Sequence, residues 1–402
     1  MVREGLTVTD DLYWDPFDEI VDVDPYPVWR RMRDEAPVYR NDKLDFYALS
    51  RHRDVDDAHV DPATYSSAYG TVLELMGPEP LSTGQIIFMD PPAHTLLRAL
   101  VSRAFTPRRV AALEGHIRQL CAELLDRQVG GGGFDYVQDF AAQLPSLVIS
   151  QLIGVSPEDR EEIRQTIDQT FHIEDGKGMI NDISFAAQIK LHTYFSEQIE
   201  ARRREPRDDM MTGLAQAEIT TAEGTRRLTT AEATDFTNLL VAAGTETVAR
   251  LLGWACDLLE SHPDQRADLA ADPSGLANAV EETLRYEAPS PVQGRTTTRD
   301  VVLHGTEIPA RSRILLLTAS AGRDERKYPD ADRYDIRRRF DSHVSFGHGP
   351  HFCLGAALAR MEGRIALEET LRRFPSWEVD RDRAVRLHTS TVRGYAKLPV
   401  IV

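Results

Sequence analysis

Cysteine is scarce here: Cys121, Cys256 and Cys353 are the only three in 402 residues, and they lie far apart. That excludes a disulfide framework and a cysteine-rich iron–sulfur module, and it suits a reducing compartment. Positive charge is also in deficit. With 47 Lys and Arg against 64 Asp and Glu the net charge is −17, which argues against nucleic acid or an anionic membrane as a bulk partner. No apolar run reaches the ~18 residues that suggest a membrane span, and Met1 to Asp24 is too acidic for a signal peptide. No strand–GxGxxG–helix unit for a flavin or nicotinamide is present, so the chain carries no electron source of its own. Low complexity is confined to Gly130 to Gly133. The expectation is a cytoplasmic protein with no membrane insertion and no nucleic-acid partner, whose 42% hydrophobic residues are ample for a core.

A short helix is expected around Pro27 to Glu35. A hairpin follows, with Val38 to Arg40 and Asp45 to Leu49 flanking Asn41 and Asp42. Ser50 is read as the cap of a helix to about His59. The stretch from Asp61 to Pro92, rich in Gly, Pro and Ser, is too long for a connector and suits a lid or binding wall. The next helix opens after Pro91-Pro92 and ends near Phe105, with His94, Leu97, Arg98 and Val101 on one face. His94 and Arg98, four residues apart, are either an anion clamp or a solvent-facing polar pair. Further helices are expected at about 108–129, 137–153, 157–171, 183–204 and 209–217, with Ser156 and Asp159 resembling a capping box.

From Thr230 to Ser261 one helical pattern, apolar on much of its circumference, describes a central buried helix. In its middle lies Ala243-Gly244-Thr245-Glu246-Thr247, where glycine costs about 1 kcal/mol against alanine. Either a ligand approaches the backbone there, with the Thr247 hydroxyl and Glu246 carboxylate moving protons, or the small residues form a packing notch between crossing helices. The helix from Ala277 to Tyr286 carries Glu282 and Arg285, three apart. Short strands follow at 292–298, 301–303 and 313–318, with Arg295 on the first, then a turn-rich segment Tyr328 to Asp335.

The most specific stretch is Phe346-Gly347-His348-Gly349-Pro350-His351-Phe352-Cys353-Leu354-Gly355, which leads into a helix to about Arg373. Glycines and a proline before a helix-forming run describe a tight loop, and the cysteine sits at the helix N-terminus, where amide N–H groups stabilise a thiolate. Such a cysteine can be a nucleophile with His351 as base, or a zinc ligand with His343, His348 and His351. It can also be the axial ligand of a haem or a buried structural residue. The tail adds short strands and a hairpin near Thr389 to Ala396.

Together the Gly-x-Glu-Thr helix, the Glu-x-x-Arg helix and the cysteine loop closely resemble the cytochrome P450 haem-thiolate monooxygenases of the soluble bacterial type. The resemblance covers nearly the whole chain, Pro91 to Arg98 included. It implies a mainly α fold with small β-sheets and a long central helix over a haem. It also implies one domain over 1–402, its β-rich part formed largely by the N-terminal hairpin and strands near 292–318 and 389–400. The implied cofactor is haem b (iron protoporphyrin IX). By that resemblance Cys353 is the metal ligand, Phe346 packs near the sulfur, and Gly347, Gly349 and Gly355 permit the tight loop. His94, Arg98, Arg295 and His351 match propionate-holding positions, Ala243 and Gly244 border the oxygen side, and Thr247 with Glu246 serve the chemistry. Glu282, Arg285 and Arg333 match a buried charge triad, and Tyr334 stands where phenylalanine is more usual.

The implied reaction inserts one atom of dioxygen into a hydrophobic substrate, lipid, terpenoid or steroid-like, by hydroxylation or epoxidation. The implied partners are that substrate, dioxygen, and a ferredoxin with its reductase; a monomer is expected. Substrate walls are placed at the 61–92 loop, around Phe171 to Phe195, along Asn238 to Ala243, at Ser290 to Gln293 and near Ser390 to Val392. Leu73, Leu75, Met76, Ile87, Phe88, Leu239, Leu240, Val292 and Val392 make them apolar. Arg108, Arg109, Arg337, Arg338, Arg339, Arg360 and Arg364 form either a basic docking face for the redox partner or an ordinary solvated surface.

Overall fold

The central helix spans Thr230–Ser261, as the apolar pattern predicts, and begins with a capping box in which Thr229 and Glu232 satisfy each other's backbone N–H. It packs against the helices Gln143–Ile153, Asp182–Arg204 and Ala356–Arg373. By length and composition it could cross a membrane, but 72% of its apolar window is buried inside the protein, so here it is the core helix. This computed structural model describes residues 12–102, 105–172, 174, 181–221, 224–339, 341–389 and 391–402.

Two apolar clusters flank the central helix. One joins it to Glu114–Asp126, Leu276–Tyr286 and Ala356–Arg373 through Leu252, Trp254, Leu284 and Ile365. The other joins it to Ala93–Ser102, Arg160–Thr170 and Asp182–Arg204 through Leu97, Ile167, Phe195 and Phe236. The main sheet has five strands in the order Val38–Asn41, Phe46–Leu49, Arg313–Leu317, Val292–Thr297, Tyr65–Ser66. Leu315 sits at its centre, parallel to Ala48 on one side and antiparallel to Gly294 on the other.

Several expected elements change shape for identifiable reasons. The 108–129 helix is two, Pro107–Ala111 and Glu114–Asp126, divided by a tight turn closed by the Leu113 N–H on the Val110 carbonyl. The 137–153 helix starts as a π-turn over Val137–Ala141. Pro145 has no N–H to give to Ala141, and just before it the ladder runs i to i−5, from Ala141 to Tyr136 and Ala142 to Val137. Ser50 does not cap the following helix, His52–Val60; the distant Asp324 carboxylate accepts the His52 N–H at 2.8 Å. Nor does a box form at Ser156 and Asp159, because the Asp159 carboxylate accepts the Tyr194 hydroxyl at 2.8 Å and the helix begins at Arg160. Strands the pattern does not announce appear at Gly133–Asp135 and in the hairpin Glu218–Thr221 with Gly224–Arg227.

Candidate functional site

The cysteine loop is closed by its own backbone. Cys353 N–H donates to the Phe346 carbonyl at 2.8 Å, Gly347 N–H to Val344 at 2.8 Å and Phe352 N–H to Gly349 at 3.0 Å. Gly347 and Gly349 adopt φ of +68° and +66°, where a side chain is strained. Gly355 differs from expectation: its φ is −85° and a Cβ there would meet nothing within 4 Å, so the turn itself does not require glycine. Burial pushes the Cys353 thiol up, opposed by the N–H groups of Gly355 and Ala356 and by the guanidinium groups of Arg98 and Arg360. The Arg360 guanidinium lies 4.6 Å from the centre of the Phe346 ring.

The zinc and nucleophile readings of this loop fail on geometry. His348 Nδ1 pairs with Asp56 at 2.7 Å, His343 Nε2 with Glu281 at 3.1 Å, and the His351 ring lies tilted against His94 with centroids 4.2 Å apart. Among the described residues no three His, Cys, Asp or Glu side chains gather around a possible metal position, and no side chain is hydrogen-bonded to the Cys353 sulfur.

His94 and Arg98 from the helix Ala93–Ser102, Arg295 from the strand Val292–Thr297 and His351 from the cysteine loop converge. Both ring nitrogens of His94 and Nε2 of His351 are buried without a hydrogen-bond partner. His94 is held down to about 4 by burial and Arg98. His351 is held down to about 2 by burial, Arg295, His94 and Arg98. Arg295 is buried, its guanidinium is lowered to about 10 by that burial, and its described hydrogen bond goes to the Gly294 carbonyl at 2.6 Å. Arg98 reaches across to the Phe352 carbonyl rather than lying out in solvent. Asp90, the carboxylate that acts on this group, already accepts from the Ser66 hydroxyl and the Ser67 N–H. So much buried positive potential, with orphaned ring nitrogens and no free carboxylate beside them among the described residues, calls for an anionic group from outside.

On the central helix the small residues do two different things. Gly244 is half-buried and turned towards Gln143–Ile153, where a Cβ would lie 3.1 Å from Ile149 Cγ1, so it makes a packing notch on that side. Ala243 is exposed and Thr247, one turn on, is half-buried, so these two share the open face. Thr247 Oγ1 donates to the Ala243 carbonyl at 2.9 Å. Glu246 is buried and held by Arg250 Nε at 2.8 Å, a partner four residues on that the helical spacing alone could have suggested. Glu246 and Arg250 line a cavity of about 420 Å³ together with Asp168, Phe171 and Arg386. The Asp168 carboxyl, though 42% of its side chain is accessible, is pushed up to about 6 by burial and by Glu246, against the pull of Arg164.

Glu282 and Arg285 are fully buried and doubly hydrogen-bonded at 2.7 Å. Arg333 does not complete this group. Its side chain is 66% exposed and pairs with Asp335, two residues on. The third charge is Arg338, 10% exposed, whose Nε meets Glu282 Oε1 at 3.2 Å. The Tyr334 hydroxyl finds the Thr283 hydroxyl at 3.0 Å, which accommodates tyrosine in a buried position.

The expected apolar walls fall into two clusters. Leu73, Met76 and Val292 pack with Trp14 and Trp29. Leu240 and the partly buried Leu239 pack with Ile86 and Phe195. Phe88 and Val392 are buried, Ile87 is half-buried, and Leu75 points outward at 39% exposure. Ser390 lies outside the described residues. The 61–92 loop is tied to the central helix where Asp235 Oδ2 accepts the Gly84 N–H at 2.8 Å.

Residues 275–399 match the family model for cytochrome P450. The chain is 44% identical over 395 residues to cytochrome P450 123 of Mycobacterium tuberculosis, covering 98% of this chain and 97% of that one. This chain belongs to the cytochrome P450 family. The Vitamin D(3) 25-hydroxylase of Pseudonocardia autotrophica is 37% identical to this P450 over 403 residues, 98% of each chain. The solved structure of a mutant of P450 EryK in complex with erythromycin B superposes with a TM-score of 0.87 at 34% identity, covering 96% of this P450 and 97% of that chain. The protein is therefore a P450 monooxygenase with haem as cofactor, acting with a substrate, dioxygen and redox partners. The buried cationic cluster fits a group bearing two carboxylates, and the thiol at a helix N-terminus fits an iron ligand.

Proposed function

We propose that this P450 hydroxylates or epoxidises a hydrophobic small molecule, lipid, terpenoid or steroid-like, in the cytoplasm. Cys353 is the thiolate ligand of the haem iron. His94, Arg98, Arg295 and His351 hold the propionates, and Ala243 with Thr247 forms the strip facing the oxygen side. Haem, when bound, supplies the iron at which dioxygen is activated. The chain's own residues do the rest. With haem bound, Thr247 Oγ1 would turn from the Ala243 carbonyl to donate on the open face of the helix, and Glu246 would replenish that proton through water in the cavity it shares with Asp168.

The observation that carries this reading is the convergence of Arg98 and Arg295, neither paired with a carboxylate, with the orphaned ring nitrogens of His94 and His351 beside a cysteine loop closed by its own backbone. The size and apolar character of the substrate are supported by Leu239, Leu240, Ile86 and Phe171 lying in one cluster. They are supported further by relatives named for vitamin D(3) and bound to erythromycin B. The test is a screen of lipids, steroids and terpenoids for shifts in the Soret band, followed by product identification with a surrogate ferredoxin and reductase. Shifts with polar metabolites alone would overturn the substrate class.

For the ferredoxin, the docking face is smaller than the arginine count suggests. Arg337 is paired with Asp268, Arg338 with Glu282, Arg360 with Glu281 and Arg364 with Glu114. Arg108, Arg109 and Arg339 are exposed and have no ion pair among the described residues. Charge reversal at Arg109 is expected to slow reduction most at low salt; an unchanged rate and salt slope would remove this face from the reading.

A further inference from the structure

We propose that His59, at the end of the helix His52–Val60, is an additional anchor for a haem propionate, donating from its imidazole beside Arg295. The proposal rests on the assignment of Arg295 and His351 as propionate holders.

His59 is 3% exposed, yet neither ring nitrogen has a hydrogen-bond partner. Buried polar groups are nearly always satisfied, so two orphans on one ring mark a missing ligand or a defect. Its position argues for the ligand. The ring lies against the glycine turn of the cysteine loop: a Cβ on Gly347 would be 3.8 Å from His59 Cε1 and 3.9 Å from Nδ1. The same helix end is pressed on that turn, since a Cβ on Gly349 would be 2.9 Å from the His59 carbonyl oxygen. His59 thus joins the end of its helix to the cysteine loop, within electrostatic reach of Arg295.

The charges acting on the ring are Arg295 and His348, both cationic in sense, and with burial they hold His59 down to about 3. The imidazole is therefore neutral at physiological pH, with one N–H to give. The carboxylates nearby are engaged: Asp56 with His348 at 2.7 Å, and Asp90 with Ser66 and Ser67. What the ring lacks, and what Arg295 beside it also lacks, is an acceptor that carries negative charge. A carboxylate brought in by the cofactor supplies it to both.

The experiment uses holoenzyme and three variants: His59→Leu, His59→Gln, and Arg295→Leu as a reference for the existing clamp. Haem transfer to excess apomyoglobin is timed, and the propionate-bending band is recorded by resonance Raman. His59→Leu is expected to release haem about tenfold faster with a shifted band, and His59→Gln, which keeps an N–H donor, to restore both. If Arg295→Leu releases haem faster while His59→Leu matches wild type in both readouts, His59 is not an anchor and the clamp stands. If both leucine variants match wild type, the propionate assignment itself fails. Faster release with an unmoved band and no rescue by glutamine makes His59 a packing residue and overturns the proposal.

Discussion

Glu246 and Arg250 face each other across one turn of the central helix, with Arg250 Nε 2.8 Å from Glu246 Oε1, and the Arg250 guanidinium reaches on to the Tyr395 carbonyl. Gly394 makes room for this, since a Cβ there would lie 2.7 Å from Arg250 Cδ. Successive helix residues point roughly 100° apart, so the neighbouring Thr247 looks to the open face while Glu246 looks to the cavity. A carboxylate held this way reaches the threonine through water or by letting go of arginine.

Thr247→Ala is therefore expected to keep haem and substrate binding but send reducing equivalents to peroxide. Product and hydrogen peroxide per nicotinamide consumed measure it; full coupling in the variant would count against the relay. Glu246→Gln is expected to slow turnover about 100-fold, within the usual range for lost acid–base assistance, with a larger solvent isotope effect.

The buried charges on the Glu-x-x-Arg helix give a contrast between two arginines five residues apart. Arg338→Ala removes one of the two buried arginines on Glu282 while Arg285 keeps its double hydrogen bond, and is expected to cost about 1.5–3 kcal/mol, read as a lower denaturation midpoint and haem loss. Arg333→Ala removes an exposed pair and is expected to leave the midpoint within error.

Glu362 on Ala356–Arg373 is 2% exposed, its Oε2 has no partner, and burial raises its carboxyl to about 8. The folded state therefore keeps a proton that the unfolded state has lost, and this group's contribution to stability falls as pH rises from about 4.5 to about 8. Glu362→Gln removes that slope. Its stability relative to wild type is expected to grow between pH 5 and pH 8 by roughly 4 kcal/mol, in denaturant titrations at the two pH values; a gap that does not change with pH would show that Glu362 is ionised in the fold.

Asp235 anchors the 61–92 loop at Gly84. Asp235→Ala is expected to raise amide hydrogen exchange across residues 79–90 and to weaken binding of whichever compound shifts the Soret band, with little change in exchange at the cysteine loop.

The central helix was legible in the sequence to its end residues because one apolar pattern runs through its thirty-two positions. Local elements that depend on distant residues were not. Asp324 rather than Ser50 satisfies the His52 N–H, and Tyr194 takes the Asp159 carboxylate away from its cap. Both partners lie on other elements, so no window of sequence contains them.

The chemistry of the site was written in residue types at fixed local spacing: Phe346 to Gly355 around one cysteine, Glu282 with Arg285, and Ala243 to Thr247. Hydrogen bonds within a loop and side chains one helical turn apart are local, and the sequence alone determined them. Tertiary structure decided the assignments that rest on contact across the fold. It turned Gly244 onto Ile149, chose Arg338 over Arg333, left Arg108 and Arg109 exposed while pairing Arg360 and Arg364, and set the orphaned ring of His59 against the glycine turn. Each of these depends on which of several chemically equivalent side chains burial brings to a given point, and spacing along the chain does not carry that information.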